Sequence, residues 1–411
     1  MSLTPADSFA KDLADNQLAG DALNNPENVP RLVDLFLNSA RQHGTTDIHL
    51  IPRAASLEMN WRINGVLHLI AEFPDALKAN IVSRLKVLAE LLTYHADVPQ
   101  EGRISRGEQG FEMRVSTFPS VHGEKAVIRL FIGSGDYRTL SSLGYPDETL
   151  EELKRNLYET SGVIMLTGPS GSGKTTTAYA CLRAIVEDSP IRRAISTLED
   201  PIESIIPAAS QSQIRPSRGF DYAVALKSLL RQDPEVILVG EIRDTETAQL
   251  VFQAALTGHL VITTFHAGSA SEAVSRLLDM GIEPYQLTSG LLCALNQQLA
   301  RKLCSCAQAG SDETDKLGLD VEKFQIPTGC DNCDGTGYAG RFPIIELLTL
   351  DAREIRQSIL NRMDSGTIDR AAIQSGMISR WEMARTCVES GQTSPAEIRR
   401  ILGFRQPKAG S

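Results

Sequence analysis

Gly168-Pro-Ser-Gly-Ser-Gly173-Lys174-Thr175 lies between an apolar run and a stretch with helical spacing. Glycines, a lysine and a hydroxyl at these intervals make a loop suited to the phosphates of a nucleoside triphosphate. The glycines let backbone N–H groups close around phosphate oxygens at the positive end of the following helix. Lys174 is expected to neutralise the β and γ charges, and the Thr175 hydroxyl to ligate Mg²⁺. Gly168, Pro169, Ser170, Gly171, Ser172, Gly173 and Thr176 complete the expected contacts to the nucleotide.

Hydrolysis needs more than a phosphate cradle: the attacking water needs a proton acceptor, and the metal needs oxygen ligands. Three segments offer them. Thr197-Leu-Glu199-Asp200-Pro-Ile-Glu203 crowds three carboxylates at one strand end. Val236-Ile-Leu-Val-Gly240-Glu241 is an apolar strand ending in an acid, with Gly240 where many phosphate-loop enzymes carry a metal-supporting Asp. Metal support is therefore expected from Glu241 or from the 199–203 cluster. In Gly258-His259-Leu-Val-Ile-Thr-Thr-Phe-His266 the two histidines stand about 20 Å apart if the segment is extended, at about 3.3 Å per residue. Only one can touch a given γ-phosphate, and His266, past the carboxyl end, is the better sensor.

Four cysteines cluster as Cys304-Ser-Cys306 and Cys330-Asp-Asn-Cys333, a pattern that suggests metal before disulfide in a reducing compartment. Cys181, Cys293 and Cys387 sit among apolar residues and are expected as core thiols.

These residues need a frame. Gly162–Thr167 predicts a buried strand and Thr175–Val186 a helix; further strands are expected at 193–198, 236–240 and 259–264, separated by helices. That alternation implies an α/β core over 144–302, a parallel sheet with helices on both faces and a ligand crevice at the carboxyl ends of its strands. Before it, residues 29–132 read as a smaller α+β domain. Leu57, Met59, Trp61 and Ile63 alternate with polar neighbours, Asn64-Gly65 supplies a hairpin turn, and Val66–Ile70 returns. Helical spacing over 74–94 and strands around 111–115 and 125–132 complete the unit. Residues 1–28 are expected to be a flexible lead-in, 133–143 a linker, 303–341 a cysteine-bearing insertion and 342–411 a helical carboxyl-terminal region.

At 411 residues the chain is long enough for several cores. Its net charge of −10 argues against a general nucleic-acid binder, whose affinity is carried by Lys and Arg. No apolar run approaches the ~18 residues of a membrane span, and the polar, acidic first segment has Lys11 as its only basic residue, unlike a secretory signal. A cytoplasmic protein with no transmembrane segment is expected, one that can dock on a membrane through a partner.

Taken in order, the phosphate loop, the Thr197–Glu203 acidic box, Leu230-Arg231-Gln-Asp-Pro234, Gly240-Glu241-Ile-Arg-Asp244 and the Thr257-Gly-His259 to Phe265-His266 box resemble the type II secretion and type IV pilus assembly ATPases, a family of hexameric motors. The resemblance spans nearly everything from Pro30 to Gly403. Asp47-Ile-His49, Arg62-Ile-Asn-Gly65, Pro99-Gln-Glu-Gly-Arg103, Met113-Arg114 and Val121–Arg129 look like the family's amino-terminal domain, which closes over the nucleotide. It implies a RecA-like ATPase core, a homo-hexamer, and positive charge from Arg103, Arg114 and Arg129 toward the phosphates or a neighbouring subunit. It also implies nucleotide contacts from Glu199, Asp200 and His259, a catalytic part for Glu203 beside Glu241, Lys174 and His266, and a structural Zn²⁺ on Cys304, Cys306, Cys330 and Cys333. The implied task is ATP-driven assembly of a pilus or pseudopilus, peripheral to the inner membrane, through a membrane platform protein and an adaptor. A retraction or DNA-uptake motor and, further off, a DNA translocase are the alternatives.

The chain departs from the family pattern at three places. One residue rather than two separates Cys304 from Cys306. Asp47-Ile-His49 continues Leu-Ile51 where the family usually has Glu. Only about 28 polar residues precede the first domain, so docking through an additional amino-terminal domain is not expected.

Overall fold

The computed structural model describes residues 4–16, 21, 26–106, 111–130, 139–188, 192–333 and 335–404. The chain forms two compact units: Met1–Gly133 with Cys304–Ala307 and Pro327–Gly340, and Ser134–Leu303 with Gln308–Ile326 and Arg341–Ser411.

In the first unit, helix α1 (Pro5–Asp15) precedes α2 (Val29–Gln42), and strands β1 (Asp47–Pro52), β2 (Ser56–Ile63) and β3 (Val66–Pro74) follow. Then come α3 (Lys78–Leu88), β4 (Gln100–Arg106), β5 (Phe111–Ser120) and β6 (Gly123–Leu130), and the sheet order is β3-β2-β1-β6-β5-β4. Period-2 alternation decides the buried face: Ile48, Leu50, Leu57, Met59, Trp61, Val115 and Ile128 all join one core with Leu32, Phe36, Ile81 and Leu85 of the helices. The hairpin at Asn64-Gly65 forms as its sequence demands, with φ of 50° and 81° at the two positions.

The flexible lead-in is corrected in part. Residues 5–15 are helical, capped by Thr4, whose side chain accepts from Asp7 N. An isolated helix this short is marginal in water. It persists because Phe9 is buried and meets Trp61 edge-on, with ring centroids 5.8 Å apart.

In the second unit α4 (Asp147–Tyr158) leads to β7 (Gly162–Thr167), α5 (Lys174–Asp188), β8 (Ile195–Glu199), β9 (Ala209–Gln213), α6 (Tyr222–Leu229) and β10 (Val236–Val239). After them come α7 (Thr245–Leu256), β11 (Leu260–Phe265), α8 (Ala270–Asp279), α9 (Pro284–Gly290) and β12 (Leu291–Leu303). A two-residue ladder, β13 (Gln308–Ala309) with β14 (Gln325–Ile326), precedes β15 (Tyr338–Thr349) and helices α10 (Arg353–Leu360), α11 (Ser365–Gln374), α12 (Arg380–Glu389) and α13 (Pro395–Leu402). The sheet order is β15-β12-β7-β11-β10-β8-β9, and the pairs from β12 to β9 are parallel. Helices cover both faces: Val163 and Met165 pack into one cluster with α7 and α8, while Ile164 and Leu166 pack into the other with α4 and α5.

Two expectations are revised here. Residues 342–349, assigned to a helical region, are strand: Pro343-Ile-Ile-Glu346 is a continuous buried run, and periodicity alone cannot separate such a run from a buried helix. Of the expected linker, the part up to 138 lies outside the described residues, and Leu140 and Leu143 are buried in the core beneath α5.

Candidate active site

Because the central strands are parallel, their carboxyl ends share one edge of the sheet, and β7, β8, β10 and β11 deliver their following residues to it. Gly168 follows β7 at φ 140°, where a Cβ would lie 2.3 Å from the carbonyl oxygen of Gln297, so only glycine fits. Lys174 is 8 % exposed and donates to Gly168 O and Pro169 O, both at 2.8 Å. Burial pulls its ammonium down to about 8, with Glu241 acting in the opposite direction. Thr175 and Thr176 are half-buried in the first turn of α5, and Ser172 Oγ is buried without a hydrogen-bond partner among the described residues.

Glu241 leaves β10 half-buried, with one oxygen engaged by Arg243 Nε and the other 3.5 Å from His266 Nε2. Gly240 before it has no room for a side chain: a Cβ there would stand 2.8 Å from Tyr222 Oη and 3.1 Å from Leu198 O. The missing aspartate is thus a packing consequence as well as a sequence departure. Arg243 also reaches Asp200, 3.4 Å away, so Asp200, Glu241, Arg243 and His266 form one polar cluster. The His266 loop is braced by Arg276, which donates to His266 O and lies 5.0 Å over the Phe265 ring.

Glu199 and His259 do not join this group. Glu199 is 4 % exposed, and its carboxylate takes hydrogen bonds from Thr197, Tyr179 and Gln211; it is spent on holding β8 and α5 together. His259 precedes β11 at the opposite end from His266, where Nδ1 meets Ala254 O at 2.9 Å at the end of α7. Glu203 is exposed just beyond β8, and its N–H donates to Tyr179 Oη at 3.1 Å.

The arginines expected to matter lie in the first unit, and strand register aligns them. Arg103 pairs with Arg114, Arg114 with Arg129, Arg129 with Asp47, and Asp47 with Arg62. Directly opposed residues share a face, so four arginines and one aspartate form a row across five strands, opposite the apolar core. Asp47 receives Arg129 Nε at 3.0 Å and has Arg62 Nε 3.6 Å away, while Arg114 pairs with Glu101. Arg62, quoted only within a family-like segment, has no role assigned from sequence; its place in the row depends on register alone.

A family model described as "Type II/IV secretion system protein" matches residues 22–400. The chain belongs to that family. It is 40 % identical over 355 residues to the type II secretion system ATPase E of Vibrio cholerae, covering 84 % of this chain and 69 % of the relative. To the type IV pilus assembly ATPase PilB of Thermus thermophilus it is 35 % identical over 383 residues, 90 % of this chain but only 43 % of that protein. Among solved structures, the ATPase DotB of Legionella pneumophila superposes with a TM-score of 0.66 at 21 % identity, covering 92 % of this chain and 96 % of that one, a likeness of fold. The chain is an ATPase of the type II secretion and type IV pilus family, and no helix among its described residues is long and apolar enough to cross a membrane.

In this secretion ATPase the four cysteines converge. Their sulfurs lie within 4.8 Å of one another, with Cys304–Cys330 and Cys306–Cys333 at 3.8 Å and Cys330–Cys333 at 3.7 Å. A tetrahedron with metal–sulfur bonds of about 2.3 Å has edges of about 3.8 Å, so the thiol set fits Zn²⁺. The single residue between Cys304 and Cys306 is accommodated because each of them faces a cysteine of the other pair. Cys333 Sγ accepts from Cys330 N at 3.2 Å and Gly337 N at 3.1 Å, and hydrogen bonds centred on the Cys306 backbone bring the Cys304 thiol down to about 7. Both effects favour thiolates, the form that binds metal, while burial pushes the Cys330 thiol the other way, up to about 11.

Proposed function

We propose that this chain is a hexameric motor that hydrolyses ATP to drive assembly of a pilus or pseudopilus. The convergence of the phosphate loop, Asp200, Glu241 and His266 on one edge of the core sheet carries this reading. Lys174 and the loop amides hold the phosphates, and Thr175 with Asp200 or Glu203 would hold Mg²⁺, which neutralises charge on the phosphates when bound. The buried Ser172 Oγ, without a partner among the described residues, supports a ligand there. Glu241 takes the proton of the attacking water, His266 reports the γ-phosphate, and Arg103, Arg114 and Arg129 supply positive charge to that phosphate or to a neighbouring subunit. Glu199 acts by fixing the strand end, and His259 plays no direct part in this chain's own site.

Force passes to an integral inner-membrane platform protein, at whose cytoplasmic side the motor acts, with an adaptor between them. The relatives' names, divided between type II secretion and type IV pilus assembly, support a filament-assembling machine. Zinc on the four cysteines holds that segment in place; elemental analysis should find one ion per chain, lost in Cys333→Ser together with a lower thermal midpoint. Steady-state turnover tests the site itself. Lys174→Ala and Glu241→Gln should each lower ATP hydrolysis by about 10²-fold or more, and unchanged turnover in both sinks the assignment.

A further inference from the structure

Gln297, in β12, is 2 % exposed and touches the phosphate loop from behind. Its Nε2 donates to Ser172 O at 2.7 Å, and its Oε1 accepts from Tyr145 Oη at 2.7 Å and Thr177 Oγ1 at 3.0 Å. The two hydroxyls are themselves 2.7 Å apart. Tyr145 is 7 % and Thr177 1 % exposed, and burial pushes the Tyr145 hydroxyl further up, so it stays a protonated donor. The amide can point only one way. Turned over, it would set its oxygen against Ser172 O, two acceptors with no proton between them.

The bond to Ser172 O bears on the nucleotide through peptide geometry. In a trans peptide the C=O and the following N–H point in opposite directions. Tying Ser172 O back to β12 therefore turns the Gly173 N–H outward, away from the sheet. That amide belongs to the glycine immediately before Lys174, the part of a phosphate loop whose N–H groups face phosphate oxygens. The fit is close on both sides: a Cβ on Gly168 would strike Gln297 O at 2.3 Å, and one on Gly173 would lie 3.0 Å from Gln297 Nε2. Two of the loop's glycines are thus shaped to one residue some 125 positions away.

We infer that Gln297 is a positioning residue for ATP binding: held by Tyr145 and Thr177, it fixes the Ser172–Gly173 peptide so that the loop is ready for phosphate before the nucleotide arrives. This rests on the proposed ATP site. A loop prepared in advance affects binding more than the chemical step, so the expected signature lies in KM and not in kcat. Gln297→Met keeps the length and apolar volume of the side chain while removing the donor to Ser172 O. Its KM for MgATP, and its Kd for a fluorescent ATP analogue, should rise roughly tenfold, with kcat within about threefold of the parent. Tyr145→Phe, which removes only the hydroxyl that orients Oε1, should shift KM the same way by roughly threefold.

A lower thermal midpoint with KM and Kd unchanged would make Gln297 a packing residue and overturn the inference. If Gln297→Met fails to fold, Tyr145→Phe decides alone, and an unchanged KM there also overturns it. Lys174→Ala, measured in parallel, separates the two failures. Normal nucleotide binding in that variant refutes the ATP site itself, whereas its loss alongside a silent Gln297→Met refutes only the positioning role.

Discussion

The two sheets of this protein organise charge in opposite ways. In the first unit, antiparallel register lines up Arg62, Asp47, Arg129, Arg114 and Arg103 in a row across one face. In the second, parallel strands gather Lys174, Asp200, Glu241 and His266 along one edge. The row is open to water: the side chains of Arg129 and Arg114 are 59 % and 41 % exposed, Arg129 beside Asp47 and Arg114 beside Glu101. Exposed pairs of this kind add only about 0–1 kcal/mol to stability. The edge is half-buried, and there burial already moves Lys174. A row of cations kept in water costs the fold little and remains available to a ligand; an edge that buries its lysine prepares a site whose charge depends on what binds.

This contrast can be broken by mutation. Replacing Arg103, Arg114 and Arg129 together by Ala should lower kcat by roughly 10³-fold, the lower range for an arginine that stabilises phosphoryl transfer, while the thermal midpoint moves little. Turnover within twofold of the parent would reduce the row to a solvated face.

The core sheet should respond in stability as well. Glu346 in β15 is 3 % exposed and accepts from Ala270 N at 2.8 Å and Arg380 N at 3.2 Å, joining the first turns of α8 and α12. Burial raises its pKa, with Arg380 opposing. Glu346→Ala leaves two helix-terminal amides without an acceptor and should cost about 2 kcal/mol, read as a lower denaturation midpoint. An unchanged midpoint would mean that water takes over both bonds. The smallest effect is on pH. Lys174 is charged below its value of about 8 and loses its proton above it, so MgATP affinity should fall several-fold between about pH 7 and pH 9. Because Glu241 holds that value up, the fall should begin at lower pH in Glu241→Gln; identical profiles would show that the two groups do not interact.

What the sequence made legible follows from how local each feature is. The phosphate loop, the Glu241 strand end and the Asn64-Gly65 turn are contiguous, and each folds as its own residues dictate. The cysteine pairs were equally visible, though their interleaving was not. Gln297, Tyr145 and Glu346 escaped notice because each acts through a partner far away in sequence, by a strand register that no local pattern encodes. β12 and β15 escape for a related reason: polar residues interrupt their apolar runs, Asn296-Gln-Gln298 in one and Glu346 in the other, and leave no strand alternation in its place. Helix α1 needed the Phe9–Trp61 contact before its helical spacing counted for anything.

The central claim is that the sheet edge both binds and hydrolyses ATP, with Glu241 needed for the second task alone. Measuring nucleotide affinity and hydrolysis on the same preparation of Glu241→Gln tests it directly. The account predicts MgATP binding close to that of the parent with turnover down by about 10²-fold or more. Hydrolysis at the parent rate, or loss of binding and turnover together, would contradict it.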